Sequence, residues 1–170
     1  MSVPQLFFLY FAVMMIVTSI LVVTRKNLVH SVVCMLILFV HIAGLYLFLN
    51  AEFLAAIQII VYAGAILVLY LFVIMLLNLR EEEAARVFQR HWPLGLITGM
   101  VFILFFAFIL AGITVLPPPG EYSVGLIQSE GAMMTIGKVL YTQYLFPFEI
   151  ASLILLVAIL GAVVMSKKKL

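Results

Sequence analysis

Residues Ala51–Asn78, AEFLAAIQIIVYAGAILVLYLFVIMLLN, decide the architecture of this chain. No side chain from Phe53 to Leu79 is charged. A helix of that length, at about 1.5 Å per residue, is about 40 Å long against a hydrocarbon core of about 30 Å. The stretch crosses a membrane, with length left over for tilt or overhang. Within it lie Gln58, Tyr62 and Tyr70, and the small residues Ala63-Gly64-Ala65 form a patch near its middle. Glycine inside a soluble helix costs about 1 kcal/mol relative to alanine, so close packing, a backbone distortion or tolerance in lipid has to account for Gly64.

The composition agrees. Of 170 residues, 67% are apolar and 9% charged, where a soluble domain has about 25% charged. The chain is read as an integral membrane protein, and a single membrane domain over residues 1–170 uses its whole length. Cys34 is the one cysteine and lies in an apolar run, so neither a disulfide framework nor a thiolate metal site is expected.

Four further spans flank the central one. The first, Pro4–Val23, lacks the basic leader and small-x-small cleavage site of a secretion signal, and Arg25-Lys26 follows it. The second, Leu28–Leu49, has Asn27 as its N-cap and carries His30 and His41. Asn50-Ala51-Glu52 then turns the chain back into the third span, Phe53–Leu79. The charged connection Arg80–Pro93 leads, with Trp92 at the interface, into the fourth span, Leu94–Leu116. Pro117-Pro118-Pro119-Gly120 breaks the chain, a short interfacial helix is expected over Met133–Phe146, and the fifth span is Phe148–Met165. The fold class is thus all-α with five transmembrane helices. Eight of the nine Lys and Arg lie after the first span, after the third and in the tail. An odd number of spans puts those three segments on one side, so the positive-inside rule expects the N-terminus outside and the C-terminus in the cytoplasm.

Self-contained chemistry is not in evidence. The chain has no glycine-rich nucleotide fingerprint, no phosphate-binding loop and no His-Glu-x-x-His motif. His30 and His41 share one span and His91 lies in a connection, which argues against haem. No catalytic, cofactor-binding or metal residue is assigned, and no nucleic-acid partner. What remains is polar groups at membrane depth, whose cost makes them functional candidates. Gln58 and Tyr62 are four apart and share a face of an α-helix, where they can bond each other, a partner helix or water. His41 near the middle of the second span, Glu52 in the turn before the third and Glu149 at the start of the fifth form a possible polar relay. Each also has a local reading: a packed imidazole, a solvated turn, and a carboxylate favoured at a helix N-terminus. Small residues repeat at Gly95/Gly99, Ala107/Ala111 and Ala158/Ala162, which lets backbones approach closely. Other membrane subunits, or the lipid bilayer, would cover such spans.

The residues Gln58–Asn78, QIIVYAGAILVLYLFVIMLLN, resemble the third helix of subunit J of bacterial NADH:quinone oxidoreductase, respiratory complex I, the counterpart of mitochondrial NADH dehydrogenase subunit 6. Asn27-Leu28-Val29-His30-Ser31 and the stretch from Ile136-Gly137 to Phe148-Glu149-Ile150-Ala151-Ser152 resemble the same family. The resemblance implies a multi-pass subunit of a bacterial inner membrane, seated in the membrane arm near the quinone-site and small hydrophobic subunits. It also implies that NADH, FMN, iron-sulfur clusters and quinone belong to partner subunits and none to this chain. The family's third helix changes between ordinary α pairing and a π-bulge around the positions of Tyr62, Ala63 and Gly64, which is thought to gate a water path for protons. Some members carry Glu where this chain has Gln58; a neutral amide implies ordering of water there rather than carriage of a proton. Equivalent subunits of hydrogenases or ferredoxin-driven complexes are an alternative reading, as is a free-standing homo-oligomeric channel or transporter.

One geometric expectation accompanies the bulge. At about 100° per residue, Tyr70 lies about 80° off the direction of Tyr62 in an uninterrupted helix. One π-turn retards the remainder of the helix by about one residue and nearly aligns the two rings. With what the resemblance implies, the proposed gating residues are Gln58, Tyr62, Ala63, Gly64 and Tyr70, with the cytoplasmic half of the span, Ile66–Leu79, as the moving part.

Overall fold

The computed structural model describes residues 2–77, 92–112, 120 and 122–167. Every element among them is helical: α1 (Val3–Thr24), α2 (Leu28–Phe48), α3 (Glu52–Ile57), a π-helical segment (Gln58–Ile66), α4 (Leu67–Leu76), α5 (Trp92–Gly112), α6 (Val124–Glu130), α7 (Ala132–Thr142) and α8 (Leu145–Ser166). Among the described residues, five helices are long and apolar enough to cross a membrane: α1, α2, the continuous third span Glu52–Leu76, α5 and α8.

Residues 1–121 and 122–170 form two compact units. In the first, α2 is the central helix, packed on α1 along one side and on the whole third span along another. The α1–α2 turn is short because its polar residues close it locally. The Asn27 side chain accepts the Val29 N–H at 2.9 Å and the His30 N–H at 3.4 Å, taking orphan donors at the helix start. Ser31 Oγ donates to the Val22 carbonyl at 2.6 Å and ties the two helices together. Further along, a Cβ at Gly44 would lie 2.7 Å from the Phe11 ring, so this glycine is the notch that lets α1 lie close.

The reversal from α2 into the third span is a Schellman turn. Asn50 has φ 59°, a left-handed conformation that Asn tolerates better than most residues. The Asn50 N–H donates to the Leu47 carbonyl at 3.1 Å and the Ala51 N–H to the Tyr46 carbonyl at 2.8 Å, which takes up two carbonyls of the last turn of α2. The third span is described as far as its cap at Leu77, and the rest of the expected range to Leu79 lies outside the described residues. So do residues 113–116 of the expected fourth span, whose helix begins two residues earlier than expected, at Trp92. Pro93 falls in the first turn, where its missing N–H would have no helical partner.

In the second unit, α6 and α7 form a helical hairpin broken at Gly131, whose φ of 88° suits glycine. The expected single helix over 133–146 is instead α7, capped at Gln143, with the separate α6 ahead of it. α8 starts at Leu145, three residues before the expected Phe148. Pro147 sits in its first turn, and the Phe148 N–H is a donor to the Tyr144 carbonyl at 3.0 Å.

The buried interior is thin. Among the described residues of the first unit, Val32, Ala43, Ala55, Ala63 and Leu67 are its apolar members, with Thr18 and Gln58 beside them, and Thr135 is the buried residue described in the second unit. Small residues dominate because helices packed in lipid gain by close approach rather than by removing large apolar side chains from water.

Candidate functional site

The third span is α-helical at both ends and π-helical between. The Leu67 N–H donates to the Tyr62 carbonyl, five residues back, where an α-helix would use four. The buried residues follow this pairing. Ala55, Gln58, Ala63 and Leu67 are the ones turned inward, with steps of three, five and four along the sequence. The step of five falls between Gln58 and Ala63, inside the π segment. An uninterrupted α-helix would continue the same line through Tyr62 and Ile66.

This geometry separates two residues that the sequence places together. Gln58 is only 7% exposed, while Tyr62 is 47% exposed. The expected four-residue pairing of Gln58 with Tyr62 is not made, because face-sharing in the π segment comes at five residues and Ala63 takes the place. The Tyr62 ring instead meets Phe39 of α2 edge-on, with centroids 6.0 Å apart. Among the described residues the Gln58 amide makes no side-chain hydrogen bond. No fully buried side-chain nitrogen or oxygen there lacks a partner, so neither polar atom of the amide is completely sealed. An unpaired amide at membrane depth calls for water or a partner chain.

Gly64 contacts its own helix. A Cβ there would lie 3.2 Å from the Ile59 carbonyl oxygen, and nothing else described comes within 4 Å apart from the adjoining helix backbone. Ile59 is five residues back, the carbonyl that π pairing sets opposite residue 64. Tyr70 is exposed, as Tyr62 is.

Each possible relay residue has its own local setting. His41 faces α1: Nδ1 lies 2.8 Å from the Ile37 carbonyl and Nε2 lies 3.4 Å from the Tyr10 hydroxyl. A carbonyl only accepts, so Nδ1 carries a proton, and in the neutral ring Nε2 accepts from Tyr10. The rings of Tyr10 and Phe11 lie 5.9 and 6.4 Å from the imidazole. His41 and the third-span residues therefore occupy different sides of α2. Glu52 is exposed in the first turn of α3, where the helix dipole favours a carboxylate. Glu149 is exposed near the start of α8, and Ser152 Oγ donates to its backbone carbonyl at 2.7 Å. The structure thus brings Gln58, Ala63 and Leu67 onto one line and Tyr62 onto Phe39.

Sequence reasoning did not single out Phe39, Leu67 or Tyr10. Nothing local marks Phe39 or Tyr10, since each is defined by a partner on another helix. Leu67 was findable only by following the buried line through a five-residue step. Among the described residues no group of His, Cys, Asp and Glu could hold a metal ion.

The model of the NADH-ubiquinone/plastoquinone oxidoreductase chain 6 family matches residues 18–165. The chain belongs to that family. A chain 6 of NADH-ubiquinone oxidoreductase from Marchantia polymorpha is 39% identical over 97% of this chain and 87% of its own length. A chain 6 of NAD(P)H-quinone oxidoreductase from Leptolyngbya boryana is 41% identical over 95% of this chain and 79% of its own. A subunit J of NADH-quinone oxidoreductase from Rickettsia bellii is 34% identical over 96% and 80%. The family match includes the whole of the second span and of the π segment.

Proposed function

We propose that this chain is the chain 6, or subunit J, component of a proton-translocating NADH:quinone oxidoreductase, and that its third span is the moving part. The observation that carries the reading is the five-residue step between Gln58 and Ala63 in a span that is otherwise α-helical. Return to α pairing rotates everything beyond the segment by about 100°. Tyr62 and Ile66 then replace Ala63 and Leu67 on the line facing α2, and Tyr62 comes onto the face of the Gln58 amide. One state leaves the amide incompletely sealed and the other sets a phenol beside it. Water reaching Gln58 is bridged onward in one arrangement and interrupted in the other, so the span controls proton access without holding a titrating group there.

The free energy comes from quinone reduction in partner subunits, which hold the flavin, iron-sulfur clusters and quinone site; this chain contributes no active site of its own. Its partners are the quinone-site and small hydrophobic subunits of the membrane arm. It lies in a bacterial inner membrane with the N-terminus outside and the C-terminus in the cytoplasm, so its three basic segments face the cytoplasm.

Gln58→Leu tests the water path. It keeps the volume and apolar stem and removes one donor and one acceptor. The complex is expected to assemble at parent level with lower turnover or fewer protons moved per electron. Parent values for both would make Gln58 a packing residue and end its assignment.

A further inference from the structure

We propose that the outer face of α7 seats a phospholipid whose headgroup joins a phosphate to a primary ammonium, as in phosphatidylethanolamine. Lys138 takes the phosphate, Glu130 takes the ammonium, and an acyl chain lies over Gly137. This stands apart from the third-span reading, and its failure leaves that reading untouched.

The sidedness of α7 carries the first step. Thr135 is buried, and Ile136, Val139 and Leu140 are half-buried. The opposite stripe holds Met134, Lys138 and Tyr141 at helical spacing, with Met133 beside it 70% exposed. Gly137 lies within that stripe, and no described atom comes within 4 Å of where its Cβ would be. The result is a groove of about 660 Å³ with Gly137 as its floor, Met133, Met134 and Tyr141 as its walls and Glu130 and Lys138 at its rim.

Position supplies the second step. Only Gln143 and Tyr144 separate α7 from the membrane-crossing α8. The Tyr141 ring meets Phe148 edge-on at 5.2 Å, so the last turn of α7 is level with the first turn of α8. The groove therefore opens at the boundary where headgroups give way to acyl chains, a level that Tyr141 and Tyr144 suit.

Charge selects the occupant. Lys138 Nζ and Glu130 Oε2 are 2.9 Å apart and both side chains are exposed, leaving the ammonium with two free N–H donors and the carboxylate with a free oxygen. An apolar partner helix would desolvate this pair without bonding it. A headgroup with a phosphate next to a primary ammonium matches both charges and uses the free donors and acceptor.

The test uses the complex purified intact in mild detergent, with retained phosphatidylethanolamine counted by native mass spectrometry. Lys138→Ala, which removes the phosphate partner, and Gly137→Leu, which fills the groove, are each expected to weaken retention about tenfold, the factor that ~1.4 kcal/mol represents. Equal retention in both variants and parent overturns the proposal. So does Gly137→Leu if it sheds a subunit while its lipid count stays unchanged, since the groove then holds protein. The unmodified complex gives an arm free of assembly effects. Delipidated and offered nanodiscs of phosphatidylcholine with or without phosphatidylethanolamine, it is expected to take up phosphatidylethanolamine in preference, and equal uptake of phosphatidylcholine overturns the headgroup assignment.

Discussion

Gly64→Ala is expected to move the third span from π toward α pairing. The added Cβ would lie 3.2 Å from the Ile59 carbonyl oxygen, the acceptor that π pairing assigns to the Gly64 N–H. In α pairing that acceptor is the Ile60 carbonyl, which the same Cβ then meets, so only the difference between the two contacts favours one state. Relief within the π state requires a shift of a few tenths of an ångström. That places the cost within the π state near the low end of overpacking, about 1 kcal/mol, which is the upper bound on the bias between the two states. A bias of that size changes the ratio of π to α at most about fivefold. Gly64→Val adds a second branch, stiff at χ1, and acts in the same direction with greater force. The assays are a density map of each assembled variant and proton translocation per electron on the same membranes. The maps are expected to show Tyr62 and Ile66 replacing Ala63 and Leu67 toward α2. Quinone-linked activity and pumping fall, while NADH oxidation by artificial acceptors persists because that chemistry lies in other subunits. If both variants retain π pairing over residues 58–66 at parent level, the steric argument fails. If they adopt α pairing and still pump with parent stoichiometry, the switching proposal fails and the steric argument stands.

Three further outcomes are expected. Gly44→Ala drives a methyl into the Phe11 ring, 2.7 Å away, and should weaken α1–α2 packing by about 1–3 kcal/mol; combining it with Phe11→Leu should restore thermal stability of the complex, and no rescue would place the strain elsewhere. Tyr10→Phe removes one long hydrogen bond to His41 and should cost only about 0.6 kcal/mol, with pumping at the parent value; a large loss of pumping would put Tyr10 and His41 in the proton path. A reporter after Leu170 should read cytoplasmic and one in the connection Pro118–Glu130 external; the reverse at both sites would overturn the orientation, and agreement at only one would contradict five crossings.

What was legible in the sequence is what is decided locally. A run without charges longer than the hydrocarbon core spans it whatever its neighbours do, and so the spans could be counted before any packing was known. Asn27 caps α2 through atoms two and three residues away, a geometry that needs no third partner. The reversal at Asn50-Ala51 is likewise closed by carbonyls of its own helix. Where the residue-level expectation missed, the missing rule was also local: proline is tolerated in the first turn, so α5 and α8 start earlier than their prolines suggested.

The tertiary structure decided which residues meet. Gln58, Tyr62 and Gly64 stood out as polar or small residues in a span, but α periodicity put Gln58 and Tyr62 on one face, and only the observed pairing replaced that by Gln58 with Ala63. The two hydrogen-bonding patterns differ by one residue in register and use the same donors and acceptors, so the choice depends on side-chain packing against α2, with Phe39 on Tyr62 and Leu67 turned inward. His41 shows the same division: its cost at membrane depth marks it from sequence alone, while its partner Tyr10, 31 positions earlier, is set by how α1 lies against Gly44. Crossing the membrane is a property of one segment and its solvent, whereas register and pairing are differences between nearly equal packings, which only the neighbouring helices resolve.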